Sequence, residues 1–221
     1  MQLNPNAIRI LCYGDSNTRW RVPLWMGLKR YDASNRRPAI LQEMLWDHYE
    51  IIEEWLWGRT TMFDDPRPEF PERNGLKTLP IILESHLPLD YVILMLGTTD
   101  TKEMMDISSE ATTEGMRKLI QTIKWSKVLE WTSAPKILLV VPPIVQETAD
   151  FASKLFKGWT EKANKLVETY ATLAQKEQIL FCDPTKEVSV DDHDGVHIDA
   201  ANHKKLAEIL FNKITEEKWS S

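Results

Sequence analysis

Three side chains have the types and the pairing that a covalent hydrolase needs. Ser16 stands in Gly14-Asp15-Ser16, where the apolar run Ile8–Tyr13 stops and the chain turns polar. Far along the chain, Asp194 and His197 lie three residues apart in Asp194-Gly195-Val196-His197. A serine hydroxyl is a feeble nucleophile until a base takes its proton, and that base works best when a carboxylate fixes its tautomer. The three-residue spacing can place both side chains on the same side of a turn. Asp194 then accepts from His197 Nδ1, leaving Nε2 for the serine proton. Alone, Gly-Asp-Ser after a strand reads as turn chemistry, with Ser or Asp capping the next helix; the downstream pair lifts the nucleophile reading above that one. His193 adjoins the carboxylate and projects away from it, and His203 falls inside the final helix, so neither is the expected base.

The same stretch invites a metal reading, because Asp191, Asp192, His193, Asp194, His197 and Asp199 crowd together. Carboxylates and imidazoles bind divalent ions. The helical His-Glu-x-x-His spacing is missing, however, and no cysteine lies nearby, so a solvated acidic loop is expected and neither a metal nor another cofactor is assigned.

These residues need a scaffold that brings both ends of the chain together. Five short apolar runs read as strands buried on both faces: Ile8–Tyr13, Tyr49–Glu54, Tyr91–Leu96, Lys136–Val141 and Ile179–Cys182. Helical patterns follow them at Pro38–Trp46, Leu76–Leu87, Thr113–Val128, Gly158–Gln175 and Ala200–Lys218, the last with Asp199 as N-cap and a stripe of Leu206, Ile209, Leu210 and Ile214. Alternation of this kind predicts an α/β doubly wound sandwich around a parallel sheet. In such a sheet the ligand crevice lies at the carboxyl ends of the strands. The first strand ends in Gly14-Asp15-Ser16, the second leads into Gly58-Arg59-Thr60, and the third ends in Gly97-Thr98-Thr99-Asp100, so three turns face one crevice. The long irregular segments Thr18–Asn35, Thr60–Asn74 and Pro142–Lys157 are the natural site builders.

Composition narrows the partners. The 221 residues are 43% hydrophobic and 27% charged, enough for one domain, residues 1–221, to bury a full core without disulfides or metals. A net charge of −6, with Lys and Arg spread along the chain, leaves no footprint for nucleic acid and suits a small neutral or apolar ligand. No basic leader with an apolar core and no long apolar run is present, so an intracellular, cytoplasmic protein without membrane insertion is expected. Two cysteines, Cys12 and Cys182, read as core thiols.

The sequence resembles the SGNH, or GDSL, hydrolase superfamily, and most closely its arylesterase and acyltransferase branch. The blocks that carry the likeness occur in order as Gly14-Asp15-Ser16, Gly58-Arg59-Thr60-Thr61, Leu96-Gly97-Thr98-Thr99-Asp100 and Asp194-Gly195-Val196-His197; Asp64–Pro66, Asn74–Leu76 and Ser85–Asp90 extend it. The resemblance implies a three-layer flavodoxin-like sandwich with a five-stranded parallel sheet. It further implies hydrolysis of carboxylic esters through an acyl-enzyme on Ser16, with His197 as base and then acid and Asp194 orienting it. The oxyanion would be held by the backbone N–H groups of Ser16 and Gly58 and by the side chain at position 99. In that fold two strands separate Cys12 from Cys182, about 14 Å at the usual strand spacing, so the thiols stay free. Relatives in the branch often form homo-oligomers, which implies one here.

The sequence departs from the family pattern around the nucleophile. Asn17-Thr18-Arg19-Trp20 replaces the usual run after the serine, Trp55-Leu56-Trp57 precedes Gly58, and Thr99 stands where the family has asparagine. Asn17, Trp20 and Trp57 are the expected pocket residues. One reading is an esterase whose pocket is reshaped for small acyl groups and apolar alcohols, with water exclusion favouring acyl transfer. The alternative is a weakened or inactive protein of the same fold that binds a small ligand or a partner.

Overall fold

The structure, a computed structural model, describes residues 4–19, 31–126, 133–156 and 158–218. Five parallel strands, β1 (Ile8–Gly14), β2 (Tyr49–Trp55), β3 (Tyr91–Met95), β4 (Lys136–Val140) and β5 (Leu180–Cys182), lie in the order β2-β1-β3-β4-β5. Each strand boundary falls within a residue or so of the predicted apolar run. Helices α1 (Ser16–Arg19), α2 (Arg37–Leu45), α3 (Gly75–His86), α4 (Ser109–Trp125), α5 (Trp159–Glu177) and α6 (Ala200–Lys218) connect and cover them.

Alternation along the strands sorts the core into two layers. Leu11 and Tyr13, Val92 and Leu94, and Ile137 and Leu139 face one side, where they meet α3, α4 and α5. Ile10 and Cys12, Ile93 and Met95, and Leu138 and Val140 face the other, against α2 and α6. The three-layer α/β fold is the one expected. Cys12 and Cys182 are buried free thiols on β1 and β5, with β3 and β4 between them.

Local capping explains the helix limits. Ser108 Oγ accepts from Ala111 N at 3.2 Å, so α4 begins four residues before the predicted Thr113, and the predicted end at Val128 lies outside the described residues. Asp199 Oδ1 accepts from Asn202 N at 2.8 Å and starts α6 as expected, with Leu206, Leu210 and Ile214 buried and Ile209 packed beside them. Among the described residues no helix is long and apolar enough to cross a membrane.

Sheet order is what builds the site. Strand β1 lies between β2 and β3, and the chain order reverses at β1, the point where ligand crevices open in such sheets. Gly14 is in register with Trp55 on one side and Met95 on the other, so the turns after all three strands leave the sheet at one level.

Candidate active site

Ser16 opens α1 immediately beyond β1. Gly14 permits the tight exit, since a Cβ there would lie 2.0 Å from Thr18 Oγ1 and 2.8 Å from the Met95 carbonyl oxygen. Asp15 shapes the turn: its Oδ1 accepts from Asn17 N at 2.9 Å and its carbonyl from Thr18 N at 3.1 Å. Burial raises the Asp15 carboxyl above the usual range, against the lowering effects of the Asn17 bond and of His197, Arg37 and Lys102.

The histidine turn comes from the other end of the chain. Asp191 organises it, with its carbonyl accepting from Gly195 N at 2.8 Å and its Oδ1 from His193 N at 2.9 Å and Asp194 N at 3.1 Å. Gly195, at φ +70°, allows the segment around Gln146 to pack close, for a Cβ would sit 2.5 Å from the Gln146 carbonyl oxygen. Asp194 and His197 then emerge together. Asp194 Oδ2 is 2.7 Å from His197 Nδ1, and His197 Nε2 is 3.1 Å from Ser16 Oγ. An ionised carboxylate only accepts, so Nδ1 carries the proton and Nε2 faces the serine hydroxyl as an acceptor. Asp194 Oδ1 also accepts from Val196 N and His197 N, at 2.7 and 2.8 Å. Burial alone would raise the Asp194 carboxyl, but the His197 hydrogen bond and charge and these backbone donors hold it below the usual range. All three side chains are buried, with Ser16, at 8% exposure, the most accessible.

Asn17 has a different job from the predicted one. Its Nδ2 donates to the Val196 carbonyl at 3.1 Å and its Oδ1 accepts from Ile198 N at 3.1 Å, so both polar ends are committed to the histidine turn. The residue fastens the base to the nucleophile. Trp57 is partly buried and meets Phe70 edge-on, ring centroids 5.0 Å apart. Trp20 lies outside the described residues. His193 is exposed, and His203 is buried on α6, where its Nδ1 accepts from Arg37 N at 3.2 Å.

Gly58 lies in the turn after β2 with φ +74°, and Arg59 ties that turn to the first by donating from Nη1 to the Gly14 and Glu54 carbonyls at 3.0 and 2.9 Å. In the third turn Tyr170 Oη donates to the Leu96 carbonyl at 3.2 Å, close over Gly97, and Thr98 and Thr99 are buried. Among the described residues the Thr98 hydroxyl is buried without a partner. The Asp100 carboxylate crosses to the second turn, where it accepts from Thr61 N and Thr61 Oγ1. Sequence reasoning gave Arg59 and Asp100 no role. The available signal was a charged residue inside each short turn of an otherwise apolar edge. The arrangement as a whole, a serine with an oriented imidazole beside three converging turns, can activate a hydroxyl for attack on a carbonyl.

Solved structures similar to this chain are named as esterases. Est24, a carbohydrate acetylesterase from Sinorhizobium meliloti, is 34% identical with a TM-score of 0.89, over 95% of this chain and 99% of that one. The aryl esterase of M. smegmatis, in its inhibitor-bound form, is 35% identical with a TM-score of 0.88 over the same shares. A lipase/acylhydrolase from Enterococcus faecalis, 18% identical with a TM-score of 0.65 over 95% of this chain and 96% of that one, shares the fold. No family model and no curated protein sequence matches the chain.

Proposed function

Because the chain belongs to the SGNH/GDSL hydrolase superfamily, we propose that it is a serine-dependent carboxylic ester hydrolase that works through an acyl-enzyme on Ser16. The observation that carries this reading is the chain of contacts from Asp194 to His197 to Ser16. In the forward step His197 Nε2 takes the Ser16 proton as Oγ attacks the ester carbonyl. The negative charge that develops on the carbonyl oxygen is met by the Ser16 and Gly58 N–H groups and the Thr99 hydroxyl. His197 returns the proton to the departing alkoxide, leaving the acyl group on Ser16. A water or an alcohol, deprotonated by the same imidazole, then releases it as acid or as a new ester. Asp194 stabilises the imidazolium in both halves.

Short acyl groups on carbohydrate or aromatic alcohols are the substrate class, since the similar enzymes are a carbohydrate acetylesterase and an aryl esterase. Trp57, braced by Phe70, serves as an apolar wall of the alcohol side. The test needs no knowledge of the natural ester. A fluorophosphonate should add one phosphonyl group per chain by intact mass, with loss of fluoride, and Ser16→Ala or His197→Ala should abolish the adduct. Labelling that persists in Ser16→Ala would overturn the assignment.

A further inference from the structure

Strands β2 and β3 do not touch, because β1 lies between them. Strand pairing therefore leaves the spacing between the turns that follow β2 and β3 unset. The second turn is fastened to the first by Arg59 and by Leu56 N, which donates to the Gly14 carbonyl at 3.2 Å. Among the described residues, the hydrogen bonds from the third turn to the second all come from one side chain, Asp100. Its two oxygens accept from Thr61 N at 3.1 and 3.0 Å, and Oδ1 also accepts from Thr61 Oγ1. Both residues are 0% exposed. Asp100 adjoins Thr99, and Thr61 is three residues beyond Gly58. The seat of Thr61 is shaped from the far side by Gly115 of α4, where a Cβ would lie 2.2 Å from Thr61 Oγ1.

We propose that Asp100 is a positioning residue for the oxyanion hole, a clasp across the end of β1 that sets the separation of the Gly58 N–H from the Thr99 hydroxyl. The inference rests on the ester-hydrolase reading above. A buried carboxylate is an expensive way to join two loops, and burial pushes the Asp100 carboxyl up to about 7 despite the bonds from Thr61. The groups that face it electrostatically are Asp15 of the first turn, Lys102 beyond the third and Tyr170 of α5. Protonation removes the charge that the Thr61 donors meet, so the clasp loosens on acidification through that range.

The experiment measures full-length Asp100→Asn, Thr61→Val and Thr61→Ser on an activated acetate ester. Asp100→Asn should lower kcat by about 10- to 100-fold with KM within about threefold, because misplaced oxyanion donors affect the transition state and not substrate binding. Thr61→Val, which keeps the backbone N–H and loses the hydroxyl, should fall less, and Thr61→Ser should restore wild-type kcat. In the wild type, kcat/KM should climb with pH through the Asp100 ionisation, and Asp100→Asn should give the shallower rise. Melting temperatures confirm folding, and if Asp100→Asn fails to fold, the Thr61 pair decides. Unchanged kcat in folded Asp100→Asn or Thr61→Val, or an identical pH slope, overturns the clasp. Fluorophosphonate labelling of wild-type Ser16 separates that result from failure of the esterase reading itself.

Discussion

On one flank of Ser16 the protein supplies every partner the machinery needs. Asp194 accepts from His197 Nδ1 and two backbone N–H groups, His197 Nε2 meets the serine, and Asn17 binds the histidine turn at two points. On the other flank, among the described residues, the Thr98 and Thr99 hydroxyls have no hydrogen-bond partner. The difference follows from when each half acts. A base must already be oriented before substrate arrives, whereas an oxyanion donor must stay uncommitted, since its partner forms only in the transition state. On the proposed ester-hydrolase reading, preorganisation comes from filled hydrogen bonds on one flank and from donors positioned through Asp100 and Arg59 on the other.

The largest effect should come from breaking the filled flank at its centre. Ser16→Ala or His197→Ala should lower kcat on an activated acetate ester by about 10³- to 10⁶-fold, the range seen when such a unit is broken. Steady-state rates with active-site titration measure it. A fall of less than tenfold would mean that the filled flank is scaffolding alone.

Asn17→Ala tests the attachment of the base without touching the reacting groups. Both of its amide bonds disappear, leaving the Val196 carbonyl and the Ile198 N–H buried and unpaired, at roughly 1–3 kcal/mol each in stability. A displaced imidazole should lower kcat by about 10- to 100-fold. Loss of stability measured by denaturant, with kcat unchanged, would show that Asp194 and Asp191 hold the turn unaided.

The filled flank is also the part that sequence makes legible. Asp194 and His197 announce themselves through a local three-residue spacing, and the strands through apolar runs that end in Gly14 and Gly97. The contacts that adjust the open flank are not local. The Asp100 to Thr61 clasp spans 39 residues and two strands that do not pair, so it becomes visible only once the order β2-β1-β3 is known. Asn17, next to the nucleophile in sequence, suggests a pocket residue, yet its hydrogen-bond partners are 179 and 181 residues away. His203, whose place inside the final helix already sets it apart from the base, owes its neutral state to non-local contacts: burial first, and then the Arg37 and His197 charges, drive its pKa down to about 3.

The smallest effect, and the sharpest on the open flank, concerns Thr99. An asparagine amide there would reach about one bond, roughly 1.5 Å, further than the threonine hydroxyl. That distance matters, because an oxyanion donor works only at about 2.7–3.1 Å from the developing charge. Threonine is also confined at χ1 by its branched Cβ, so it adjusts poorly. Its site is buried, and the third turn is already fixed by Asp100 on one side and by Tyr170 over Leu96 on the other. A longer amide would therefore be presented by a rigid frame. Thr99→Asn is expected to raise kcat on an activated acetate ester by at least about 10-fold with KM within a few-fold, since the longer donor strengthens a bond that belongs to the transition state. Steady-state kinetics on both proteins, with melting temperatures to exclude a folding artefact, measure it. An unchanged or lower kcat in a folded variant would place the third donor in the Thr99 hydroxyl as it stands, or in its unpartnered neighbour Thr98. Thr98→Val then separates these two, because it should reduce kcat only if the Thr98 hydroxyl supplies the bond.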